Sequence, residues 1–206
     1  MSDATGFGEI SPTTLGDVLP RVQIMDTGIR PLWAAPRLAG PAYTVRCLPG
    51  DNLMLHAAIY RAEPGSVLVV QAGDTDYALA GGSMCAVAQR HGIAGLVVDG
   101  VVRDVTEIRD LGFPVFARGV IPIPGVKEAT APLNEPVQCG GVTVHPGDIV
   151  VADEEGIAVV PAARQEEVLA ETRARQAAEA TQTLDDWERS HRARIDAILR
   201  EAGFAQ

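Results

Sequence analysis

The sequence predicts an α/β fold in three parts: parallel β-α-β units, a hairpin-rich second half, and a C-terminal helical arm. Three observations carry this. Apolar runs of strand length alternate with helical segments as far as Ala117. After Pro136 the runs shorten and are punctuated by Gly, Pro and Asp. From Ala162 onward the chain is helix-rich and full of interspersed charge.

The first helix starts at Ser11-Pro12, an N-cap serine followed by proline at the first helical position, and runs to about Leu19, before Pro20. Ala42 to Cys47 alternates and contains Tyr, Thr and Val, so it reads as a strand. Asn52 to Ala62 reads as a helix ended by Glu63-Pro64-Gly65. Ser66 to Gln71 is a continuous apolar run of the kind found in buried strands. A helix over Gly82 to His91 is stopped by Gly92. Ala94 to Val98 is the next buried strand, Val105 to Leu111 the next helix, and Pro114 to Ala117 a short third strand.

Between Val137 and Val160 the punctuation is hairpin chemistry: Gly140-Gly141, Pro146-Gly147-Asp148 and Asp153-Glu154-Glu155-Gly156. In the arm, Leu184, Trp187, His191, Ile195 and Ile198 fall on one helical face, which reads as a packing surface against the body or a neighbouring subunit. With no internal repeat or low-complexity linker, the chain reads as one α/β domain over residues 1–162 and a helical extension over 163–206.

Composition bounds the function. The 206 residues are 47% hydrophobic and 21% charged, ordinary for a globular protein with a real core. Asp3, Glu9 and Asp17 interrupt the first twenty residues, so no signal peptide is expected. No apolar run reaches membrane-helix length, and a cytoplasmic protein with no membrane partner is expected. The net charge of −10 disfavours a nucleic-acid partner, whose phosphates need clustered Lys and Arg. Cys47, Cys85 and Cys139 are odd in number and widely spaced, fitting buried free thiols and not a disulfide or zinc pattern. His56, His91, His145 and His191 show no metal-ligand spacing. Lys127, the only lysine, lies in a loop that reads as exposed, so imine catalysis by a buried lysine is not expected.

Chemistry converges at the C-terminal edge of the parallel strands, where open α/β sheets bind ligands. Ala80-Gly81-Gly82-Ser83-Met84 opens the helix that follows the Ser66–Gln71 strand. Its glycines allow close backbone approach, and first-turn N–H groups attract anions. Asp99-Gly100-Val101-Val102-Arg103-Asp104 follows the Ala94–Val98 strand. Arg103 suits a carboxylate, and Asp104 suits a hard cation such as Mg²⁺. A structural ion pair at a helix start fits Arg103-Asp104 equally well.

Longer stretches around these residues carry a resemblance. They are Gly40-Pro41-Ala42-Tyr43-Thr44-Val45, Pro64 to Val70, Arg90 to Asp104, Gly112 to Gly119 and Val144 to Asp153, centred on Asp-Gly-x-x-Arg-Asp. The chain resembles the RraA-like family, which includes 4-hydroxy-4-methyl-2-oxoglutarate and 4-carboxy-4-hydroxy-2-oxoadipate aldolases and the regulator of ribonuclease activity A. The resemblance implies a swivelling β/β/α-type domain assembled as a homotrimer or hexamer with sites at subunit boundaries. It implies a catalytic pair in which Arg103 binds substrate and Asp104 holds Mg²⁺, Mn²⁺ or another divalent metal. Gly81, Gly82, Ser83 and Met84 would supply substrate-binding backbone N–H groups. Many members carry an acidic residue where this chain has Gly82.

The implied reaction cleaves a 4-hydroxy-2-oxo acid to a pyruvate enolate stabilised by the metal and Arg103, and the same enolate would allow oxaloacetate decarboxylation. Asp99, a turn residue, is a candidate to orient a water or Arg103. The alternative is a non-catalytic RraA-type regulator that binds a ribonuclease or other protein. A methyltransferase reading fails for want of a Gly-rich cofactor loop followed by an acidic ribose-binding residue.

Overall fold

The computed structural model describes residues 6–34 and 36–204. Asp3 and the outermost bounds of the two expected segments lie outside them.

Among the described residues the main sheet has seven strands. Its centre is parallel: β2 (Leu38–Arg46), β3 (Val67–Gln71), β4 (Gly95–Val102) and β5 (Val115–Val120) pair side by side in that order. A two-residue strand, β1 (Arg30–Pro31), adds antiparallel to β5. A separate hairpin forms from β6 (Val137–Cys139) and β7 (Val142–Val144), turning at Gly140-Gly141. Beyond it, β8 (Ile149–Asp153) and β9 (Gly156–Val160) form a second hairpin, and β8 pairs with the first half of β2.

The run Val67–Val70 is wholly buried because both faces of β3 are covered. Leu68 and Val70 join the cluster with Leu55, Cys85 and Ile108, under the helices α2 (Leu53–Ala58), α3 (Gly82–Arg90) and α4 (Val105–Leu111). Val67 and Val69 face the opposite cluster, with Val144, Val150 and Val159 from the hairpins. A third cluster joins α1 (Pro12–Gly16) and the start of α5 (Gln165–Thr181) to β8 and β9 through Leu15, Val151, Val160 and Val168.

Several elements differ in extent from the sequence reading. The helix α1 is shorter than expected, ending at Gly16. The strand β2 starts earlier, at Leu38, through Gly40-Pro41. Proline is tolerated there because β2 changes partner at that point, from β8 over Leu38–Pro41 to β3 from Ala42 on. The helix α2 stops at Ala58. The strand β4 does not end at Val98: it passes through Asp99-Gly100 at a register shift and continues to Val102. Asp99 is therefore a strand residue and not a turn.

The arm ends in α6 (Leu184–Glu201). Its apolar face is not laid on the body: Leu184 is 77% exposed and Ile198 53%. Trp187 stacks on His191 within the helix.

Candidate active site

The connection leaving β3 runs back along the tip of β4. Leu79 N–H donates to Val101 O at 3.0 Å, and Arg103 N–H to Ala80 O at 2.9 Å. On its other side, Ala78 N–H donates to Ile123 O at 2.8 Å, and Gly125 N–H to Ala78 O at 3.0 Å. These bonds set three segments side by side: the start of α3, the Arg103-Asp104 junction, and the loop carrying Lys127.

Asp104 is the hinge of the site. Its backbone is left-handed (φ 59°, ψ 39°), a region that costs an L-residue about 1–2 kcal/mol and that Asp tolerates better than most. This conformation turns strand into helix and aims the carboxylate back at α3. Gly82 N–H donates to Asp104 Oδ2 at 3.1 Å, and Arg103 Nε lies 3.4 Å from the same oxygen. A Cβ on Gly81 would overlap that oxygen. Gly81 itself is extended (φ −154°), so space and not backbone conformation calls for glycine there.

The pair borders a cleft of about 130 Å³. Gly81, Ser83 and Met84 form one wall, Asn52 and His56 another, and Lys127 a third. Gly82 serves through its N–H, already committed to Asp104. The first intrahelical bond of α3 is Cys85 N–H to Gly81 O, so the N–H groups of Ser83 and Met84 precede it and are open to an anion. Beyond Arg103 and Asp104, a shallow cavity of about 260 Å³ is floored by Val120, Ile121 and Pro122.

Asn52, His56 and Lys127 were missed by sequence reasoning. The usable signal was the i, i+4 spacing of Asn52 and His56, which sets His56 one turn above Asn52, the N-cap of α2. Asn52 is 3% exposed; its Nδ2 is 3.4 Å from Ala78 O, and its Oδ1 has no partner among the described residues. A buried acceptor left alone costs about 1–3 kcal/mol, so Asn52 is built to receive a donor. Burial, helped by the Lys127 charge, holds the His56 imidazole below its usual pKa and hence neutral near pH 7. The charges facing the cleft are therefore Arg103 and Lys127 against Asp104, an excess of cation suited to an anionic ligand.

Lys127 is placed by Asp51. The buried Asp51 carboxylate accepts the N–H groups of Glu128 at 2.6 Å and Ala129 at 2.9 Å, and that of Leu53 at 2.7 Å. Burial opposes its ionisation, but these three donors outweigh it and, with Lys127, hold the carboxyl below the usual range. Lys127 sits on an exposed loop, as read from the sequence, and its side chain borders the cleft.

Asp99 and Arg118 belong elsewhere. Arg118 pairs with both Asp26 and Asp99, and Asp99 also accepts Gly140 N–H at 2.8 Å. This ties β4 and β5 to the β6–β7 turn and leaves Asp99 occupied away from Arg103. The three cysteines are buried and free; burial raises the Cys85 thiol to about 12, which leaves it unreactive. Among the described residues no three His, Cys, Asp or Glu side chains form a metal cage. The half-exposed Asp104 carboxylate instead suits a hard cation that keeps most of its water.

A small cationic cleft at the strand C-termini of a mixed α/β sheet, with one carboxylate at a helix N-terminus, has the chemistry to receive a small anion. A profile of the RraA-like family, described as Aldolase/RraA, matches residues 2–159, and the chain belongs to that family. It is 39% identical over 174 residues to a protein of Halalkalibacterium halodurans named "Putative 4-hydroxy-4-methyl-2-oxoglutarate aldolase", covering 84% of this chain and 83% of that one. Among solved structures, Streptomyces coelicolor RraAS2, described as an unusual member of the RNase ES inhibitor RraA protein family, is 31% identical. It has a TM-score of 0.77, over 85% of this chain and 92% of the other. The RNA-processing inhibitor RraA from Thermus thermophilis is also 31% identical, with a TM-score of 0.66 over 72% of this chain and 91% of that one.

Proposed function

We propose that this chain is a divalent-metal-dependent (class II) pyruvate aldolase that cleaves a 4-hydroxy-2-oxo acid such as 4-hydroxy-4-methyl-2-oxoglutarate. The observation that carries the reading is the Arg103–Asp104 pair, held at the start of α3 inside a cleft with excess positive charge. Asp104 would hold Mg²⁺ or Mn²⁺, and the bound ion would supply Lewis-acid stabilisation of charge developing on the 2-oxo oxygen.

The chain's own residues do the rest. The Arg103 guanidinium and the first-turn N–H groups of Ser83 and Met84 bind the carboxylate of the pyruvate half and orient it. Asn52 Oδ1 accepts a hydrogen bond from a substrate hydroxyl. Transfer of the C4 hydroxyl proton to solvent water and cleavage of C3–C4 leave a carbonyl at C4 and place the electron pair on the enolate. Arg103 offsets that charge, and protonation at C3 gives pyruvate. Lys127 suits a second carboxylate beyond C4. Oxaloacetate decarboxylation passes through the same enolate and is proposed as a side activity. The Val120–Pro122 cavity shares Arg103 and Asp104 with the cleft and would give the C4 substituents room.

Pyruvate release tests this. Wild-type protein should form pyruvate from 4-hydroxy-4-methyl-2-oxoglutarate, 4-carboxy-4-hydroxy-2-oxoadipate or oxaloacetate with Mg²⁺ and stop with EDTA. No release above the EDTA blank from any of them would overturn the reading. It would favour the second one, a protein-binding regulator, which the names of the two RraA structures support.

A further inference from the structure

The apolar face of α6 has a symmetry of its own. Leu184 and Ile198 stand seven residues either side of His191, and Trp187 and Ile195 four residues either side. At 3.6 residues per turn all five lie within about 40° of one line along the helix. The stripe is therefore the same read in either direction: apolar at both ends, apolar one turn from the centre, and His191 in the middle. Trp187 and His191 stack at 4.5 Å, joining into one flat platform.

No residue of α6 is buried, and Trp187, Ile195 and Ile198 stay 48%, 37% and 53% exposed. Helices in proteins owe most of their stability to a packed amphipathic face, so the stripe calls for a cover. Over Leu184–Glu201 the helix carries five acidic residues and four arginines. That near-neutral mixture matches neither a nucleic acid nor a strongly basic protein. It matches itself.

We infer that α6 is a self-docking arm, pairing antiparallel with α6 of a second copy of this chain about a two-fold axis at His191. An isologous contact needs a surface complementary to its own copy, and a stripe that reads alike in both directions is one. Leu184 then meets Ile198 of the second copy, Trp187 meets its Ile195, and the two His191 rings meet on the axis. The flanks agree. Glu188 and Arg192 lie on the same side of the stripe, and neither has an ionic partner among the described residues. Antiparallel pairing about this axis keeps each flank on its own side, so Glu188 faces Arg192 of the second copy and Arg192 its Glu188. On the other flank Arg194 faces the Trp187 ring of the second copy, a cation–π arrangement. Run parallel, the flank of Glu188 would face the opposite flank, away from Arg192. The arm lies outside the residues 2–159 that the family profile matches, and the contact is independent of the reaction at the cleft.

Cysteine crosslinking of the full chain under mild oxidation tests this, read as a doubled mass on a non-reducing gel. The native cysteines are buried and do not contribute. His191→Cys, on the axis, crosslinks to its own copy. Leu184→Cys does not, because the two copies of position 184 lie about 21 Å apart along the pair, but it crosslinks to Ile198→Cys when the two variants are co-expressed. In the His191→Cys background, Glu188→Arg slows crosslinking roughly two- to fivefold, the effect of an exposed ion pair, and adding Arg192→Glu restores the rate. No crosslink through His191→Cys would overturn the inference. So would self-crosslinking of Leu184→Cys, which marks a parallel pair. Crosslinking of Arg189→Cys, on the opposite face of α6, as readily as of His191→Cys would overturn it too.

Discussion

Asp104 combines a backbone conformation that glycine prefers with a side chain that glycine lacks. That conflict separates stability from function. Asp104→Gly should leave the fold as stable or more stable by about 1 kcal/mol, because relief of the left-handed strain offsets the entropy glycine adds to the unfolded chain. The same change should abolish catalysis. Thermal melting and pyruvate release on one preparation check both halves. A large loss of stability would mean that the carboxylate anchors α4 to α3 and that its strain is structural. At Gly81 the constraint is different: Gly81→Ala keeps an allowed backbone but places a methyl group on the Asp104 carboxylate.

Among the elements, the start of α2 and the Lys127 loop act as one unit through Asp51. Its carboxyl is held below the usual range, so its contribution is full above about pH 4, the unfolded value, and is lost as pH falls through the folded value. The depressed His56 acts in the same direction at higher pH. Below about pH 6.5 the unfolded chain takes up a proton that folded His56 refuses, and stability falls. Asp51→Asn should cost about 2–3 kcal/mol at neutral pH, because one buried oxygen becomes a donor facing backbone N–H groups. It should also flatten the acid limb of the stability–pH profile. Chemical denaturation across pH checks this, and an unchanged acid limb would contradict it.

The parallel strands were legible because burial on both faces leaves continuous apolar runs, as in Val67–Val70, and because Gly and Pro mark their ends. The extent of β4 was not, since Asp99-Gly100 carries turn chemistry while the strand passes through it as an irregularity. Arg103, Asp104 and the glycine-led start of α3 were legible because they follow strands directly, at the edge where such sheets bind ligands. Asn52, His56 and Lys127 were not, because they reach the cleft through bonds spanning 77 and 78 residues in sequence, from Glu128 and Ala129 to Asp51. No local spacing encodes such a contact.

For the whole molecule, α6 leaves Leu184, Trp187 and Ile198 exposed along one face, although no helix among the described residues is long and apolar enough to cross a membrane. Such a face is covered most simply by another copy of the chain. Light scattering should give a trimer or hexamer of the 21.7 kDa chain, and Trp187→Asp with Ile198→Asp should lower the mass or loosen the assembly. A wild-type monomer would contradict this.

The central claim is that Arg103 and Asp104 stabilise a pyruvate enolate with a divalent cation. Exchange of the pyruvate methyl protons in D₂O, followed by proton NMR, tests it without regard to the substituents at C4. The account predicts exchange with Mg²⁺ and wild-type protein, and none above the buffer rate with EDTA, Asp104→Ala or Arg103→Ala. Exchange that persists in Asp104→Ala or in EDTA, or that is absent from wild-type protein with Mg²⁺, would contradict it.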